Sequence, residues 1–312
     1  MRITQRAITQ TSLLGLNSNL SAVNKLQQQL TSGKTISRPS DSATGTNTSM
    51  LTRRDMANTA QQARNISDGQ SILDATDSAL QNMMKQTQTV RSLTVQALNG
   101  GAQSSESYEA IATQVAGLRQ DLLGQANQVV QGRPLFGGVT SGGESYDANG
   151  EYVGVGGANG IPVVPVNRQI TDTETVRVDT TGPEAFGPTQ GVEADGVTPR
   201  TIPDLFSVVK SIAEHAKAGD QDGLTKDLAD LDTAISTMST ALASVGTRSA
   251  RMETAADVNS SRALTLKTQL SATEDVDLPK TIMELQMQQV GYQAALQATA
   301  QVLQPTLLDF LR

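Results

Sequence analysis

Residues 224–270 read LTKDLADLDTAISTMSTALASVGTRSARMETAADVNSSRALTLKTQL, and their apolar side chains recur every three or four residues. Steps of four and three residues from Leu224 to Leu270 meet an apolar side chain at every position except Ser249 and Asn259. This spacing is typical of a coiled-coil seam. At a rise of about 1.5 Å per residue, the segment would form a helix about 70 Å long. We therefore predict one long helix that buries a narrow stripe against partner helices.

The amino-terminal half of the chain carries two further helical stripes. The first contains Ile66, Leu73, Leu80, Met83, Val90 and Ala97. The second contains Tyr108, Ile111, Val115, Leu118, Leu122, Ala126 and Val129. Because no helix can bury a stripe against itself, the pattern predicts a bundle in which segments from both halves of the chain pack together.

Gly and Pro are concentrated between these helical regions. Residues 132–203 hold 14 of the 26 Gly and 7 of the 10 Pro, which both disfavour helix interiors. Runs typical of strands occur at 150–155, 161–166 and 173–178, and Asn149-Gly150 is a hairpin-turn signal. The predicted fold class is therefore mainly α: a long coiled-coil-like helical bundle formed by both chain ends, with a small central β-rich inserted domain.

Both ends of the chain also carry amphipathic stripes. The amino-terminal stripe consists of Leu13, Leu16, Leu20, Val23, Leu26 and Leu30. The carboxy-terminal stripe includes Ile282, Leu285, Tyr292, Leu296, Leu303 and Phe310. Each stripe has more apolar surface than one partner helix would cover, which favours burial against another molecule. A helical hairpin within a single chain is the alternative.

These changes in composition predict three domains. Residues 1–42 with 276–312 are predicted to form a terminal helical domain. Residues 43–138 with 205–275 are predicted to form a helical bundle domain. Residues 139–204 are predicted to form a β-rich insert exposed at the surface. Both ends of the chain thus contribute to each helical domain.

The composition excludes several classes of function. With no Cys, the 312-residue chain has no disulfide framework, thiol chemistry, iron–sulfur cluster or zinc finger, and its one His cannot form a multi-histidine metal site. A net charge of −7 and a pI near 4.8 argue against a nucleic-acid-binding protein. The first residues do not form a signal peptide, and no apolar run is long enough to span a membrane.

The sequence also offers few candidates for catalysis. His215 is predicted to lie on a helix surface without a nucleophile or an orienting carboxylate beside it. We expect Asp227, Asp230 and Asp232 on the solvated face of the long helix. The acidic run at 274–277 is expected to compensate the dipole of the helix that follows it. We therefore predict that the chain is not an enzyme and has no catalytic residue, metal or cofactor.

Several blocks of sequence resemble a known family when they are read in order. They are Arg2-Ile3-Thr4, Leu13–Asn17, Ser32–Asp41, Gly132–Gly138, Val276–Pro279 and Leu307–Leu311. Together these blocks resemble the two ends of the flagellin family. Residues 37–41 read Ser-Arg-Pro-Ser-Asp, where flagellin itself usually has Asn-Ser-Ala-Lys-Asp. This difference, with the Asp309-Phe310 pair, makes the resemblance closest to the hook-associated members of the hook–filament junction.

The resemblance implies a structural component of the bacterial flagellum, an adaptor ring at the hook–filament junction on which flagellin assembles. The implied partners are the other hook-associated junction protein, flagellin, copies of the same chain in the ring, and an export chaperone at the C-terminal helix. Secretion by type III export without a cleaved signal peptide is implied as well. Two alternatives stay open: a filament-forming flagellin, and a surface adhesin or binding module that uses the β-rich insert.

The resemblance also implies roles for particular residues. Arg38, Pro39 and Asp41 would lie at the joint between the terminal and bundle domains. The resemblance implies that the terminal domain, residues 1–42 with 276–312, forms the inner tube of the assembly. The implied assembly interface in this tube consists of apolar side chains on the two terminal stripes: Leu13, Leu16, Leu20, Val23, Leu26, Leu30, Leu285, Tyr292, Leu296, Leu303, Leu307 and Phe310.

Overall fold

The structure, a computed structural model, describes residues 2–99, 104–140, 143–155, 162–192 and 199–303. Within these residues long helices dominate, and the strands are short. The helices are α1 (Arg2–Ser32), α2 (Ala43–Asn99), α3 (Ser105–Ala126), α4 (Gly182–Phe186), α5 (Leu205–Ala218), α6 (Gln221–Glu274) and α7 (Leu278–Leu303). The strands are β1 (Val129–Val130), β2 (Arg133–Pro134), β3 (Asn167–Gln169), β4 (Thr175–Arg177), β5 (Thr189–Val192) and β6 (Pro199–Ile202). The predicted fold class is confirmed.

The chain divides into two compact units. Unit 1 contains residues 1–60 and 261–312, and unit 2 contains residues 61–260. Each unit therefore combines segments from both halves of the chain, as the stripes on the helices predicted. The division into three domains, with its boundaries at 42, 138, 204 and 275, stays a prediction.

Heptad spacing sets the core of unit 2. In α6 the buried side chains recur every seven residues at Leu224, Leu231, Met238, Val245 and Met252. In α2 every apolar residue of the predicted stripe is buried: Ile66, Leu73, Leu80, Met83, Val90 and Ala97. The long helices thus bury the narrow stripes that their sequences predicted.

Threonines extend the buried stripe of α2 beyond its apolar residues. Thr76, Thr87 and Thr94 are fully buried. Each hydroxyl donates to the carbonyl four residues earlier, for example Thr87 Oγ1 to Met83 O at 2.8 Å. Because the hydroxyl is paired inside its own helix, burial leaves no unsatisfied polar group. This explains how a chain with few large apolar residues forms a continuous core.

The β structure consists of three antiparallel two-stranded pairs, β1–β2, β3–β4 and β5–β6. The β1–β2 pair is a tight hairpin whose turn residues, Gln131 and Gly132, both have positive φ. The predicted turn at Asn149-Gly150 is present, with Gly150 at φ 89°. It joins Tyr146 and Tyr152, which pair as an isolated antiparallel bridge rather than as part of a longer strand.

The other predicted strands are only partly present. The run at 173–178 contains β4. In the run at 161–166, residues 162–166 form no strand, and β3 begins only at Asn167. Pro162 and Pro165 explain the difference, because proline has no N–H to donate to a neighbouring strand.

Aromatic rings join this irregular region to the helices of unit 2. Tyr146, Phe136, Phe186 and Phe206 are each at most 1% exposed. The Tyr146 ring lies 4.5 Å from that of Phe206 in α5, and the Phe136 ring lies 4.9 Å from that of Phe186 in α4. The Tyr152 ring lies 5.4 Å from that of Tyr146, so five of the eight Phe and Tyr residues of the chain form one cluster that anchors the loops.

The prediction that Asp227 and Asp230 face solvent is wrong, because both residues are buried. The Asp227 carboxylate lies 2.6 Å from His215 Nδ1 of α5, which covers this face at the start of α6. The prediction that no carboxylate lies beside His215 is therefore wrong as well. Burial raises the pKa of Asp227, and the hydrogen bond with His215 opposes the shift. Asp232 is exposed as predicted and pairs with Arg91 at 2.6 Å.

Candidate assembly interface

Helix α1 packs against α7 in unit 1, so the two predicted stripes meet within one chain. Of the predicted interface residues, Val23 is buried. Those that are half-buried are Leu16, Leu26, Leu30, Leu285 and Tyr292. Those that are exposed are Leu13, Leu20 and Leu296. Leu303 ends α7, and Leu307 and Phe310 lie outside the described residues. Their roles in assembly stay predictions.

Packing within unit 1 leaves much apolar surface uncovered. Among the described side chains of this unit, Val23 and Leu266 are the only apolar ones that are buried, and they are still 8% and 9% exposed. Helix α7 exposes Met283 by 61%, Met287 by 72% and Val290 by 65%. These three residues define the open face of α7.

The open face of α7 was missed in the sequence because its residues lie off the stripe that ran through Leu285 and Tyr292. The sequence does contain a signal for this face, because the apolar residues of α7 lie on more than one side of the helix. An apolar helix of this kind needs more than one partner.

A short backbone bridge joins the segments that follow α1 and α6. Lys34 pairs antiparallel with Asp275. The Thr35 amide donates to the Glu274 carbonyl at 2.6 Å, and the Val276 amide donates to the Gly33 carbonyl at 3.0 Å. Residues that are about 240 positions apart in the sequence are thereby fixed side by side.

Glu274 is the electrostatic centre of this bridge. Its side chain is only 8% exposed. Arg53 of α2 donates from Nε to Oε1 at 3.1 Å and from Nη2 to Oε2 at 2.6 Å, and Lys34 Nζ donates to Oε2 at 2.7 Å. These hydrogen bonds, first that of Arg53 and then that of Lys34, lower the pKa of Glu274 to about 2. Dipole compensation, the role predicted for residues 274–277, therefore does not account for Glu274.

The three residues predicted at the joint lie just before α2. Asp41 Oδ2 accepts from the backbone amides of Ser37 at 3.1 Å and Arg38 at 3.0 Å, and these bonds lower its pKa. Lys25 Nζ lies 3.4 Å from Asp41 Oδ1. Asp41 thus shapes the turn, whereas Arg38 and Pro39 are exposed on it. Their role between two domains stays a prediction.

The bridge should weaken in acid because the pKa of Glu274 is lower in the folded chain than its ordinary value of 4.5. A carboxylate with a lowered pKa stabilises the fold above its unfolded pKa and loses this effect as the pH falls through its folded pKa. We expect the amide protection factors of Thr35 and Val276 to fall between about pH 5 and pH 2. Glu274→Gln should remove this pH dependence and lower protection at neutral pH, whereas Glu253→Gln, at an exposed site, should change neither. Equal pH profiles for native chain and Glu274→Gln would contradict the assignment.

The described residues also bear on two other kinds of site. They contain no helix that is both long and apolar enough to cross a membrane. They also contain no group of three or more His, Cys, Asp or Glu side chains placed to hold a metal ion.

Both ends of the chain match models of one protein family. The bacterial flagellin N-terminal helical region matches residues 3–140, and the bacterial flagellin C-terminal helical region matches residues 228–311. These matches include the bridge at Lys34 and Glu274 and the open face of α7.

Individual relatives agree with these matches. Flagellin of Bacillus subtilis (strain 168) is 28% identical over 320 aligned residues that cover 100% of both chains. Flagellar hook-associated protein 3 of Escherichia coli (strain K12) is 26% identical and covers 96% of each chain. The crystal structure of Bacillus cereus FlgL has the same fold, with a TM-score of 0.58 at 24% identity over 71% of this chain and 99% of that one. The chain belongs to the flagellin family.

Proposed function

We propose that the chain is a structural component of the bacterial flagellum that forms an adaptor ring at the hook–filament junction, on which flagellin assembles. The observation that carries this proposal is the apolar surface that unit 1 leaves exposed. Its terminal helices leave Met283, Met287 and Val290 exposed although they already pack against each other. Apolar helix faces of this kind are typically covered in an assembly.

The similarity to hook-associated protein 3 supports the junction as the position in the flagellum. The proposed partners are copies of the same chain, the other hook-associated junction protein and flagellin. We also propose export without a cleaved signal peptide, with a chaperone on the C-terminal helix during transport. In this proposal the role is mechanical, and the chain catalyses no reaction.

Filament-forming flagellin is the second candidate. It is favoured by the 28% identity with Bacillus subtilis flagellin over the full length of both chains. The two candidates differ in whether the chain polymerises without limit or stops at a ring.

Immuno-electron microscopy of flagella isolated from cells that produce the chain separates these candidates. We expect antibodies against the chain to label one band between hook and filament. We also expect that the purified chain does not grow into long filaments when short filament fragments are supplied as seeds. Label along the whole filament, together with seeded growth of the purified chain, would establish flagellin instead.

Deletion of residues 303–312 should leave a soluble chain that does not support filament growth. Normal filaments from this truncated chain would contradict both candidates.

A further inference from the structure

A cavity of about 430 Å³ opens in unit 1 beside the backbone bridge. Three cationic side chains, Lys34, Arg38 and Arg53, line it together with one carboxylate, that of Glu274. Lys34 and Arg53 are both held by Glu274, whereas the Arg38 guanidinium makes no ion pair with another described residue. The cavity therefore carries an excess of positive charge, and Arg38 remains available for an incoming anion.

Two unpaired hydroxyls lie in the same cavity. Ser49 is 95% buried, since only 5% of its surface is exposed, and neither its Oγ nor Thr46 Oγ1 has a hydrogen-bond partner among the described residues. A buried hydroxyl without a partner is unfavourable. Thr46 lies at the end of the first turn of α2, where the helix dipole favours negative charge, and Ser49 lies about one turn further along the helix. The cavity thus combines cations with free hydrogen-bond donors, which is the chemistry of an oxyanion site.

The remaining walls of the cavity are apolar. Ile36, Pro39 and Met50 line it beside the charged groups, and Met50 is 66% exposed. An inorganic anion would leave this apolar surface uncovered. A carboxylate side chain with apolar neighbours would fit the whole cavity. The carboxylate would bind the cations and hydroxyls, and its neighbours would cover the apolar walls.

Glu284 on α7 has these properties. Its side chain is half exposed, and the Lys280 Nζ atom lies 4.0 Å away, at the limit of an ion pair. It stands beside the open face of α7, where Met283 and Met287 are exposed. The carboxylates of Asp41, Glu274, Asp275 and Asp277, in contrast, each accept a hydrogen bond within unit 1. Asp55 lies 3.9 Å from Arg54 Nε on α2 and is not beside the open face of α7.

We infer that the cavity beside the bridge receives Glu284 of a second copy of this chain. The Glu284 carboxylate then accepts hydrogen bonds from Arg38 and Ser49, while Met283 and Met287 cover Ile36, Pro39 and Met50. Because each copy presents one surface and receives the other, the contact is head-to-tail. Contacts of this type generate closed rings or helical arrays. The inference rests on the proposed function, since it names the contact by which copies associate.

Cysteine mapping tests the contact directly, since the native chain contains no Cys. Flagella are assembled from an equal mixture of Pro39→Cys and Lys280→Cys chains, so every disulfide joins two copies. Both positions lie beside the interacting groups and leave Arg38 and Glu284 in place. Peptide mapping should show mainly disulfides between positions 39 and 280. A statistical mixture, or mainly 39–39 or 280–280 disulfides, would overturn the inference while leaving the proposed function intact. A native chain that forms no junction would instead overturn the proposed function.

Charge reversal tests the chemistry of the contact. Arg38→Glu and Glu284→Arg should each lower the number of filaments per cell at least tenfold and leave unassembled chain in the medium. The two substitutions combined in one chain should restore most of the filaments. Arg54→Glu is the matched control, because Arg54 is exposed on α2 and does not line the cavity. A combined variant that assembles no better than the single variants would contradict the inference.

Ser49→Ala separates assembly from folding. It removes a hydroxyl that is unpaired in the free chain, so the melting temperature of the monomer should stay the same or rise. Filament number should nevertheless fall severalfold, because the hydroxyl no longer donates to the carboxylate. Unchanged filament number, or a loss of monomer stability that accounts for the defect, would show that Ser49 has only a structural role.

Discussion

Replacing Met283, Met287 and Val290 together with glutamine should abolish filament growth without unfolding the chain. All three side chains are more than 60% exposed in the free chain, so folding loses little when they become polar. In an assembly that covers them, we expect each to contribute on the order of 1 kcal/mol, about 3 kcal/mol in total. This corresponds to roughly a hundredfold weaker association. Filament counts by electron microscopy and unfolding followed by circular dichroism would measure the two effects.

The matched control changes exposed apolar residues elsewhere. Val153 and Val164 are 53% and 54% exposed in unit 2, outside the terminal helices. Replacing both with glutamine should leave filament number and stability unchanged. If this control abolished filaments as completely as the α7 variant, the apolar face of α7 would have no special role in assembly.

Leu231→Ala should have the largest effect on stability. Leu231 is completely buried in the α6 stripe, between the equally buried Leu224 and Met238. Leucine-to-alanine substitutions at such sites destabilise by about 3–5 kcal/mol. We expect the urea midpoint of unit 2 to fall accordingly, with the slope of the transition preserved.

Leu264→Ala supplies the comparison within the same helix. Leu264 is 67% exposed, so its truncation should change the unfolding free energy by less than about 0.5 kcal/mol. Truncation of Leu231 is thus expected to destabilise the fold strongly, whereas truncation of Leu264 in the same helix is expected to have almost no effect. A similar effect from both substitutions would mean that the heptad spacing of α6 does not identify its buried face.

The periodicity of apolar residues determined much of the fold, because residues three or four positions apart lie on the same face of a helix. Leu224, Leu231 and Met238 are buried for this reason, and the stripes of α1 and α7 are recognisable in the sequence alone. Threonine weakened the signal in α2. Thr87 counts as polar in the sequence, but its hydroxyl is paired with Met83 in the same helix, and it occupies the core.

Only the tertiary structure decided which charged groups act together. Lys34 and Arg53 lie 240 and 221 positions before Glu274, and no spacing rule predicts that Glu274 is buried between these two cations. The same holds for the cavity that Arg38 and Ser49 share, and for the burial of Asp227 beneath His215. A heptad repeat of apolar residues specifies which face of a helix is buried, because that face depends only on the local geometry of the helix. An ion pair or a cavity depends on which segments the fold brings together, and this information is distributed over the whole chain.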